Sequence, residues 1–409
     1  MVSVYDVFYV IGTKGEIRTS EIVEALNKPK EDYQNIFNKV LELEKEGYIQ
    51  RGKTIKVIHN TKSQKLFNLI AFCIRNGINY NIMFKKNMID FLIEASKKEF
   101  FTIKTVKVHP QTFNNYITAL NKYGFLLIVS KKPLKCKLLR HHFLVDLVEF
   151  FGGKLKFYAP KQTNFTKEIE KELKKYKSNL KIHYTVVQNL EDKEEANFIY
   201  SSLNLEGNPL TLPETQKLIL KEIIPEKQKI TDIEEVTNYK KAIDLMVTNA
   251  KKKVKLDLNL VLEYHKISMQ TINGAGVVRK QNVKIRLNPN FKTPDWQLLP
   301  KKLDDLFKEY DEFYNKKKKD ISEIIEFASY FHNEFQRIHP FIDGNSRISR
   351  LLMLHILRSY EIPLLDLPIG YFDLYLDLTK RSTERDDKSF KYLIEEIVLM
   401  NLKRINLSL

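Results

Sequence analysis

The stretch His339-Pro-Phe-Ile-Asp-Gly-Asn-Ser-Arg-Ile-Ser-Arg350 combines a titratable base, a carboxylate, a small-residue turn and two arginines. Before it, apolar residues recur from Ile321 to Ile338 at alternating spacings of 3 and 4, which predicts a helix with one buried face. Pro340 should end this helix, and a second helix should begin near Ser346. The polar groups are therefore expected on a loop between two buried helices.

This loop has the parts of a polyphosphate site. Gly344 gives the backbone the freedom that a tight turn needs, and the free N–H groups at the start of the second helix favour an anion. Arg347 and Arg350 are three residues apart, so they project from one face of that helix toward successive phosphates. Asp343 offers a hard oxygen ligand suited to Mg²⁺, and His339 has the chemistry of a general base for a hydroxyl.

The same twelve residues resemble the Fic motif, H-P-F-x-[DE]-G-N-G-R-x-x-R. The helix before His339 is similar to the family's lead-in helix, and Gly276-Val-Val-Arg279 resembles the segment before the family's flap. The resemblance covers about residues 196–409. It implies a mainly α fold, a Fic-type helical bundle with a small β-hairpin flap.

Most Fic proteins transfer AMP from ATP to a Ser, Thr or Tyr hydroxyl of a protein, so the resemblance implies a protein adenylyltransferase. It assigns His339 the role of catalytic base and Asp343 the role of holding Mg²⁺ on the phosphates. An anion cradle and two phosphate-binding arginines complete the implied site: Gly344, Asn345 and Ser346 for the cradle, with Arg347 and Arg350 on the β- and γ-phosphates.

Ser346 stands where the family motif has its second glycine. A serine keeps its N–H group and suits the start of a helix, so transfer should survive this departure. The Doc-like branch, which phosphorylates its target, has Ala-Asn-Lys-Arg in the corresponding stretch. Gly344 and Ser346 therefore favour AMP transfer over phosphorylation.

The segment Ser202-Leu-Asn-Leu-Glu206-Gly207 resembles the family's inhibitory motif, [ST]-x-x-x-E-[GN]. The resemblance implies that Glu206 pairs with Arg350 and keeps the γ-phosphate out of its productive position. Some relatives also use this glutamate to align a water that removes AMP, so the reverse reaction stays open. The alternative is a plain surface glutamate at the end of a helix.

Val283 and Ile285 alternate with Lys284 and Arg286, which is the pattern of a half-buried strand. In the family this flap pairs with the extended target segment, so these four residues are predicted to contribute to binding. A simple hairpin is the alternative. Tyr375 either walls the adenine pocket or is a core residue.

Residues 1–60 predict three helices followed by a hairpin, the order of a winged helix-turn-helix. Residues 61–150 predict a second winged-helix-like unit, with a helix over 109–123, a strand over 125–130 and a basic wing. Residues 151–195 are predicted to form a connector that contains a helix over 165–176 and a strand over 182–187. The Fic domain is expected at 196–409, with the inhibitory helix near 196–208.

Positive charge is concentrated in the N-terminal part of the chain. Residues 51–140 contain 18 Lys and Arg but three acidic residues, which is nearly the whole formal charge of +17. Because such a field attracts polyanions, DNA is a predicted partner of the winged helices, with protein docking or merely solvated lysines as alternatives. The second functional hypothesis is a DNA-binding regulator that uses the Fic site as a nucleotide sensor.

Other features exclude whole classes of protein. The chain lacks the roughly 18 uninterrupted apolar residues of a membrane-spanning helix, and its first residues lack the pattern of a secretory signal. We therefore expect a cytoplasmic protein with no membrane partner. Cys73 and Cys136 lack metal-binding spacing, so neither a disulfide nor a zinc site is expected. The target protein and the oligomeric state stay open, with a homodimer among the alternatives.

Overall fold

The computed structural model describes residues 2–157, 163–285, 288, 291–363, 365–382 and 384–409, and it divides into two compact units. The first unit comprises residues 1–119 and 141–158, and the second comprises 120–140 and 159–409. Most described residues are helical, which confirms the predicted mainly α class. None of the described helices is long and apolar enough to cross a membrane.

The first unit begins with the predicted three helices and a hairpin. Helix α1 spans Val4–Lys14, α2 Thr19–Ala25 and α3 Tyr33–Lys45, and strands β1 (Ile49–Arg51) and β2 (Ile55–Val57) pair antiparallel. Buried apolar residues of α1 and α3 make the core of this group. Four further helices follow: α4 (Thr61–Arg75), α5 (Tyr80–Met83), α6 (Lys86–Ser96) and α8 (His142–Phe150).

Helix α7 (Pro110–Lys122) is followed by strands β3 (Leu126–Lys131) and β4 (Leu134–Leu138), in the order predicted for the second winged-helix-like unit. The hairpin, however, packs in the second compact unit. The Lys403 ammonium donates to the carbonyl of Ile128 over 2.9 Å, and the Gly370 N–H donates to the carbonyl of Gly124 over 3.1 Å. Residues 61–150 are therefore not one compact unit. The winged-helix assignment and its DNA partner stay predictions.

The second unit is a helical bundle built around two neighbouring helices, α15 (Ile321–Ile338) and α16 (Asn345–Ser359). Residues 345–358 of α16 are all buried, so this helix is enclosed on every side. The helices of the unit are α9 (Thr166–Ile182), α10 (Tyr184–Asn204), α11 (Leu212–Lys221), α12 (Ile230–Lys251), α13 (Leu258–Ser268), α14 (Leu299–Asn315), α15 (Ile321–Ile338), α16 (Asn345–Ser359), α17 (Phe372–Leu378) and α18 (Asp387–Leu407).

The predicted strand over 182–187 is wrong, because these residues end α9 and begin α10. Within the predicted connector, α9 packs against α18, and its residues Ile169 and Tyr176 are buried. The run Thr185-Val-Val187 has high strand propensity, but such propensity is weaker than tertiary packing. Val187 is buried on the helical face that meets the bundle. The predicted helix over 165–176 is confirmed and continues to Ile182.

Candidate active site

The predicted helix–loop–helix is present around His339. Asp320 and Glu323 form a capping box that begins α15, and the helix ends where His339 takes a left-handed φ of 52°. Gly344 has a φ of 79°, a conformation that costs glycine little, and α16 begins at the next residue. The backbone therefore reverses within a few residues and exposes the start of α16 to the loop.

The side chain of Asn345 closes this loop. Its Oδ1 accepts from the N–H of Phe341 over 2.9 Å, and its Nδ2 donates to the carbonyl of the same residue over 2.8 Å. Phe341 is fully buried, as the sequence predicts. Because both ends of the amide are engaged, Asn345 can offer an anion its backbone N–H, together with the other free donors at the start of α16.

His339 is buried and is set up as a base. Its Nδ1–H donates to the carbonyl of Gln336 over 3.2 Å, which leaves Nε2 unprotonated. Burial, assisted by the positive charges of Arg279 and Lys380, lowers the pKa of His339 to about 4. The imidazole is therefore neutral near pH 7 and able to accept a proton.

Asp343 lies on the open side of the loop. Its side chain is 63% exposed, and its Oδ1 accepts from the N–H of Gly344 over 2.6 Å. In the described part of the chain its Oδ2 accepts no hydrogen bond. An exposed carboxylate with a free oxygen fits a magnesium ion, which commonly takes one or two carboxylates together with phosphate oxygens.

The two arginines of α16 are both buried, and each is held by a carboxylate. Arg347 pairs with Glu235 of α12 and has a buried Nε without a partner among the described residues. The guanidinium of Arg350 donates from Nε to Ser202 Oγ over 2.8 Å and from Nη2 to Glu206 Oε1 over 2.9 Å. The structure therefore brings together the two segments that the sequence linked.

Glu206 lies just beyond the end of α10, where Gly207 has a φ of 98°. Its second oxygen, Oε2, lies 2.5 Å from the ammonium nitrogen of Lys380. Burial raises the pKa of Glu206, but the charges of Arg350 and Lys380 outweigh burial and hold it at about 2. The carboxylate is thus ionised at any physiological pH.

Ser346 has a partner that the motif does not reveal. The Nε2 of Gln336, on α15, donates to Ser346 Oγ over 3.1 Å, and the oxygen of the same amide lies 3.1 Å from Ser349 Oγ. Gln336 is itself buried. The hydroxyl at position 346 therefore satisfies a buried amide that a glycine would leave without this acceptor.

His265 of α13 supports the loop from the opposite side. Its Nδ1 accepts from the N–H of Gly276 over 2.8 Å, and its Nε2–H donates to the carbonyl of Asp343 over 3.0 Å. The ring also stacks on Phe341 with centroids 3.6 Å apart. Burial lowers the pKa of His265 to about 4, which keeps the neutral form that this pattern of donor and acceptor requires.

Arg279 connects the loop at His339 to the segment of the predicted flap that follows Arg279 in the chain. Its Nε donates to the carbonyl of His339, and its two terminal nitrogens donate to the carbonyls of Gln281 and Pro294, each over 2.8 Å. Its backbone N–H donates to the carbonyl of Pro340 over 2.8 Å. Both ends of the segment 281–294 are therefore anchored beside the base.

The predicted flap strand is wrong over residues 283–285, which have no strand structure. Arg286, the fourth predicted residue, lies outside the described residues. Val283 and Ile285 are half-buried and Lys284 is exposed, so the alternation is present without a sheet. The described residues 291–296 contact this stretch through side chains: Thr293 Oγ1 donates to the carbonyl of Val283 over 3.3 Å. They form no strand with which residues 283–285 could pair.

Tyr375 is a core residue in the described structure. It is 2% exposed, and its hydroxyl lies 2.9 Å from Nε2 of His332 and 3.4 Å from Nη1 of Arg350. It thus contacts Arg350 at Nη1, whereas Ser202 binds Nε and Nη2 of the same guanidinium.

The sequence did not single out His265, Glu235 or Lys380, and it named Arg279 only as part of a resemblance. Each lies far along the chain from the motif, and none has a spacing that ties it to the motif. The sequence offered one signal for these residues. A buried guanidinium needs an acidic partner, so each buried arginine of the motif requires a carboxylate from elsewhere in the chain.

Comparison with known proteins agrees with this site. Residues 255–357 match the profile of the Fic/DOC family. Proteins named "Protein adenylyltransferase Fic" from Drosophila persimilis and Drosophila erecta are each 26% identical over 210 residues, which are 50% of this chain and 40% and 41% of those proteins. The matched region therefore spans less than half the length of these relatives.

A solved structure shares the fold. The crystal structure of a Fic domain containing signaling protein from Bacteroides thetaiotaomicron has a TM-score of 0.52 and 21% sequence identity, and the match covers 58% of this chain and 95% of that one. The family profile covers the described helix–loop–helix, and the solved structure supports the surrounding bundle. Residues 255–357, which include the helix–loop–helix of the site, are therefore similar to the Fic/DOC family.

Proposed function

We propose that the protein is an adenylyltransferase that transfers AMP from ATP to a Ser, Thr or Tyr hydroxyl of a protein target. The observation that carries this proposal is a buried, neutral His339 on the same loop as an exposed Asp343, directly before the N-terminus of α16. The names of the similar proteins support the same reaction class.

In the proposed reaction, Nε2 of His339 takes the proton of the target hydroxyl as its oxygen attacks the α-phosphorus of ATP. The new bond joins that oxygen to phosphorus, and the bond from the α-phosphorus to the bridging oxygen of the β-phosphate breaks. The electron pair leaves with pyrophosphate. The Nδ1–H bond to the Gln336 carbonyl stabilises the imidazolium that forms.

The start of α16 would bind the polyphosphate. Gly344 supplies the turn of the proposed cradle, and the backbone N–H groups of Asn345 and Ser346 supply donors where the helix dipole also favours negative charge. Arg347 and Arg350 would bind the β- and γ-phosphates. Arg347 has a buried Nε available for this purpose.

Asp343 would hold Mg²⁺ through its free oxygen. When bound, the ion supplies positive charge that offsets charge on the phosphates. Arg347 Nη2 lies 3.6 Å from Asp343 Oδ1, so the same carboxylate also borders one of the proposed phosphate ligands.

We infer that Glu206 restrains this reaction. Its carboxylate occupies Arg350, so ATP must displace a buried ion pair before Arg350 can bind a phosphate. Ser202 fixes the same guanidinium through both its hydroxyl and its carbonyl, and Gly207 provides the turn that directs Glu206 inward. A variant without the carboxylate should therefore transfer AMP faster.

The segment that contains Val283, Lys284, Ile285 and Arg286 is proposed to contact the target. Its anchoring by Arg279 beside His339 would place a bound segment within reach of the base. An extended peptide could add to this edge through its main chain, which is a common mode of peptide binding.

The proposal is tested by incubating Glu206→Gly with ATP, Mg²⁺ and cell lysate and measuring modified proteins by mass spectrometry. We expect a mass increase equal to AMP on a Ser, Thr or Tyr. The double variant Glu206→Gly/His339→Ala is the matched control and should give none. Transfer of phosphate alone would contradict AMP transfer, and ATP binding without any transfer would favour a nucleotide sensor.

A further inference from the structure

Lys380 shares the proposed inhibitory carboxylate with Arg350. Glu206 Oε2 lies 2.5 Å from Lys380 Nζ, while Oε1 lies 2.9 Å from Arg350 Nη2. One carboxylate therefore bridges two cations from different elements, Arg350 from within α16 and Lys380 from the turn after α17.

The position of Lys380 is fixed by its backbone. The Nδ2 of Asn288 donates to the carbonyl of Lys380 over 2.9 Å, and Thr379 Oγ1 donates to the carbonyl of Tyr375 over 2.6 Å. Lys380 also lies near the proposed base, since its charge is among those that lower the pKa of His339. Among the described residues Glu206 is the sole carboxylate paired with Lys380.

The two cations match a phosphate group as well as they match a carboxylate. Two oxygens of a phosphate are spaced much like the two oxygens of a carboxylate, so they can take the same two donors. With Glu206 in place, one negative charge is shared by two positive ones. Without it, Arg350 and Lys380 face the site together, which suits the higher negative charge of a terminal phosphate.

We propose that Lys380 is a phosphate-binding residue, which together with Arg350 takes a terminal phosphate of ATP once Glu206 has moved away. The inference rests on the proposed function and adds to it a ligand outside the twelve-residue motif. Lys380 has two successive partners, the carboxylate in the restrained state and the nucleotide in the active one. Loss of Lys380 then weakens ATP binding where Glu206 is already absent.

The test measures the affinity of ATP and of AMP by calorimetry in Glu206→Gly and in Glu206→Gly/Lys380→Met, each with Mg²⁺. We expect the second substitution to weaken ATP binding by about tenfold, as for loss of one charge-assisted hydrogen bond, and to leave AMP binding unchanged. Glu206→Gly/Lys380→Arg should retain most of the affinity for ATP. Lys380 is 26% exposed and lies in a turn, so these variants should fold.

The matched control is Glu206→Gly/Arg381→Met, which removes the same charge from the next residue. Arg381 is 55% exposed and pairs with Asp377 over 3.2 Å. Equal ATP affinity with and without Lys380 would overturn the inference and leave the proposed function standing. An equal loss in the Arg381 variant, or an equal loss of AMP binding, would also overturn it. Absence of ATP binding in Glu206→Gly itself would overturn both.

Discussion

Two arginine–glutamate pairs connect α16 to another part of the bundle, one to Glu191 within α10 and one to Glu206 just beyond the end of α10. The pair remote from the candidate site joins Arg358 to Glu191 through two parallel contacts of 3.0 Å, and the hydroxyl of Tyr176 lies 3.2 Å from the same guanidinium. Both side chains are nearly inaccessible to solvent, at 9% and 6%. Both oxygens of this carboxylate are therefore bound by Arg358, and Oε1 also accepts from the hydroxyl of Tyr176.

The pair at the site is built differently. Arg350 meets Glu206 through one contact of 2.9 Å, and the other oxygen of Glu206 belongs to Lys380. Arg350 is buried, but the Glu206 side chain is 17% exposed. Because this carboxylate is divided between two cations and part of its surface reaches solvent, it can be exchanged for another anion. The remote pair holds the two helices together while this exchange takes place.

The largest effect is expected at the remote pair. Glu191→Ala should lower the free energy of unfolding by about 3–5 kcal/mol, because it leaves the Arg358 charge buried without its partner. Urea denaturation gives this value. Asp192→Ala, an exposed position on the same helix, is the matched control and should change stability by less than about 0.5 kcal/mol. If both variants lose equally little, the remote pair does not fasten the helices.

A smaller loss is expected at the site pair. Glu206→Ala should cost about 1–3 kcal/mol, since Arg350 keeps its bonds to Ser202 and lies beside Tyr375. Saturating ATP with Mg²⁺ should restore stability more in this variant than in the wild type. The midpoint of thermal unfolding with and without ATP measures both effects. A loss as large as that of Glu191→Ala would remove the distinction between the two pairs.

Substitutions of Ser346 test the stability of the loop before α16 independently of the two arginine–glutamate pairs. Ser346→Gly should cost about 1 kcal/mol, because Gln336 loses an acceptor and glycine lowers helix stability. Ser346→Ala keeps the helix propensity and loses the acceptor alone, so it isolates the hydrogen bond. Urea denaturation of both variants gives the two contributions. Greater stability of Ser346→Ala than wild type would show that the bond from Gln336 does not stabilise the loop.

The smallest effect is expected from pH. A group with a lowered pKa keeps its deprotonated form until the pH falls through that pKa, so Glu206 stays ionised above about pH 2 and His339 stays neutral above about pH 4. The ratio of transfer rates between Glu206→Gly and wild type should thus stay constant between pH 5 and 8. The rate of Glu206→Gly should fall less than about twofold from pH 7 to 5. A half-maximal rate near pH 6.5 would contradict the environment assigned to His339.

The sequence predicts well what depends on local spacing. The limits of α15, the turn at Gly344 and the start of α16 follow from apolar periodicity, proline and glycine. The contact between Glu206 and Arg350 followed from a resemblance in two short segments, since their separation along the chain carries no information on distance.

The sequence predicts poorly what depends on partners distant in the chain. The strand propensity of Thr185 to Val187 gave a wrong strand, because packing of α10 in the bundle decides its structure. The alternation from Val283 to Ile285 predicted a strand, but these residues form none, because no strand among the described residues lies beside them for pairing. Lys380 and Glu235 complete the site from the turn after α17 and from α12, and only the assembled fold places them beside the arginines.

The carboxylate of Glu206 on Arg350 is proposed to restrain AMP transfer. This restraint is tested most directly by the initial rate of incorporation of AMP from α-labelled ATP into protein, measured for wild type, Glu206→Gly and Glu206→Gly/His339→Ala. We expect Glu206→Gly to be faster than wild type by about tenfold or more, and the double variant to be inactive. Equal rates for Glu206→Gly and wild type, with His339 still required, would contradict it.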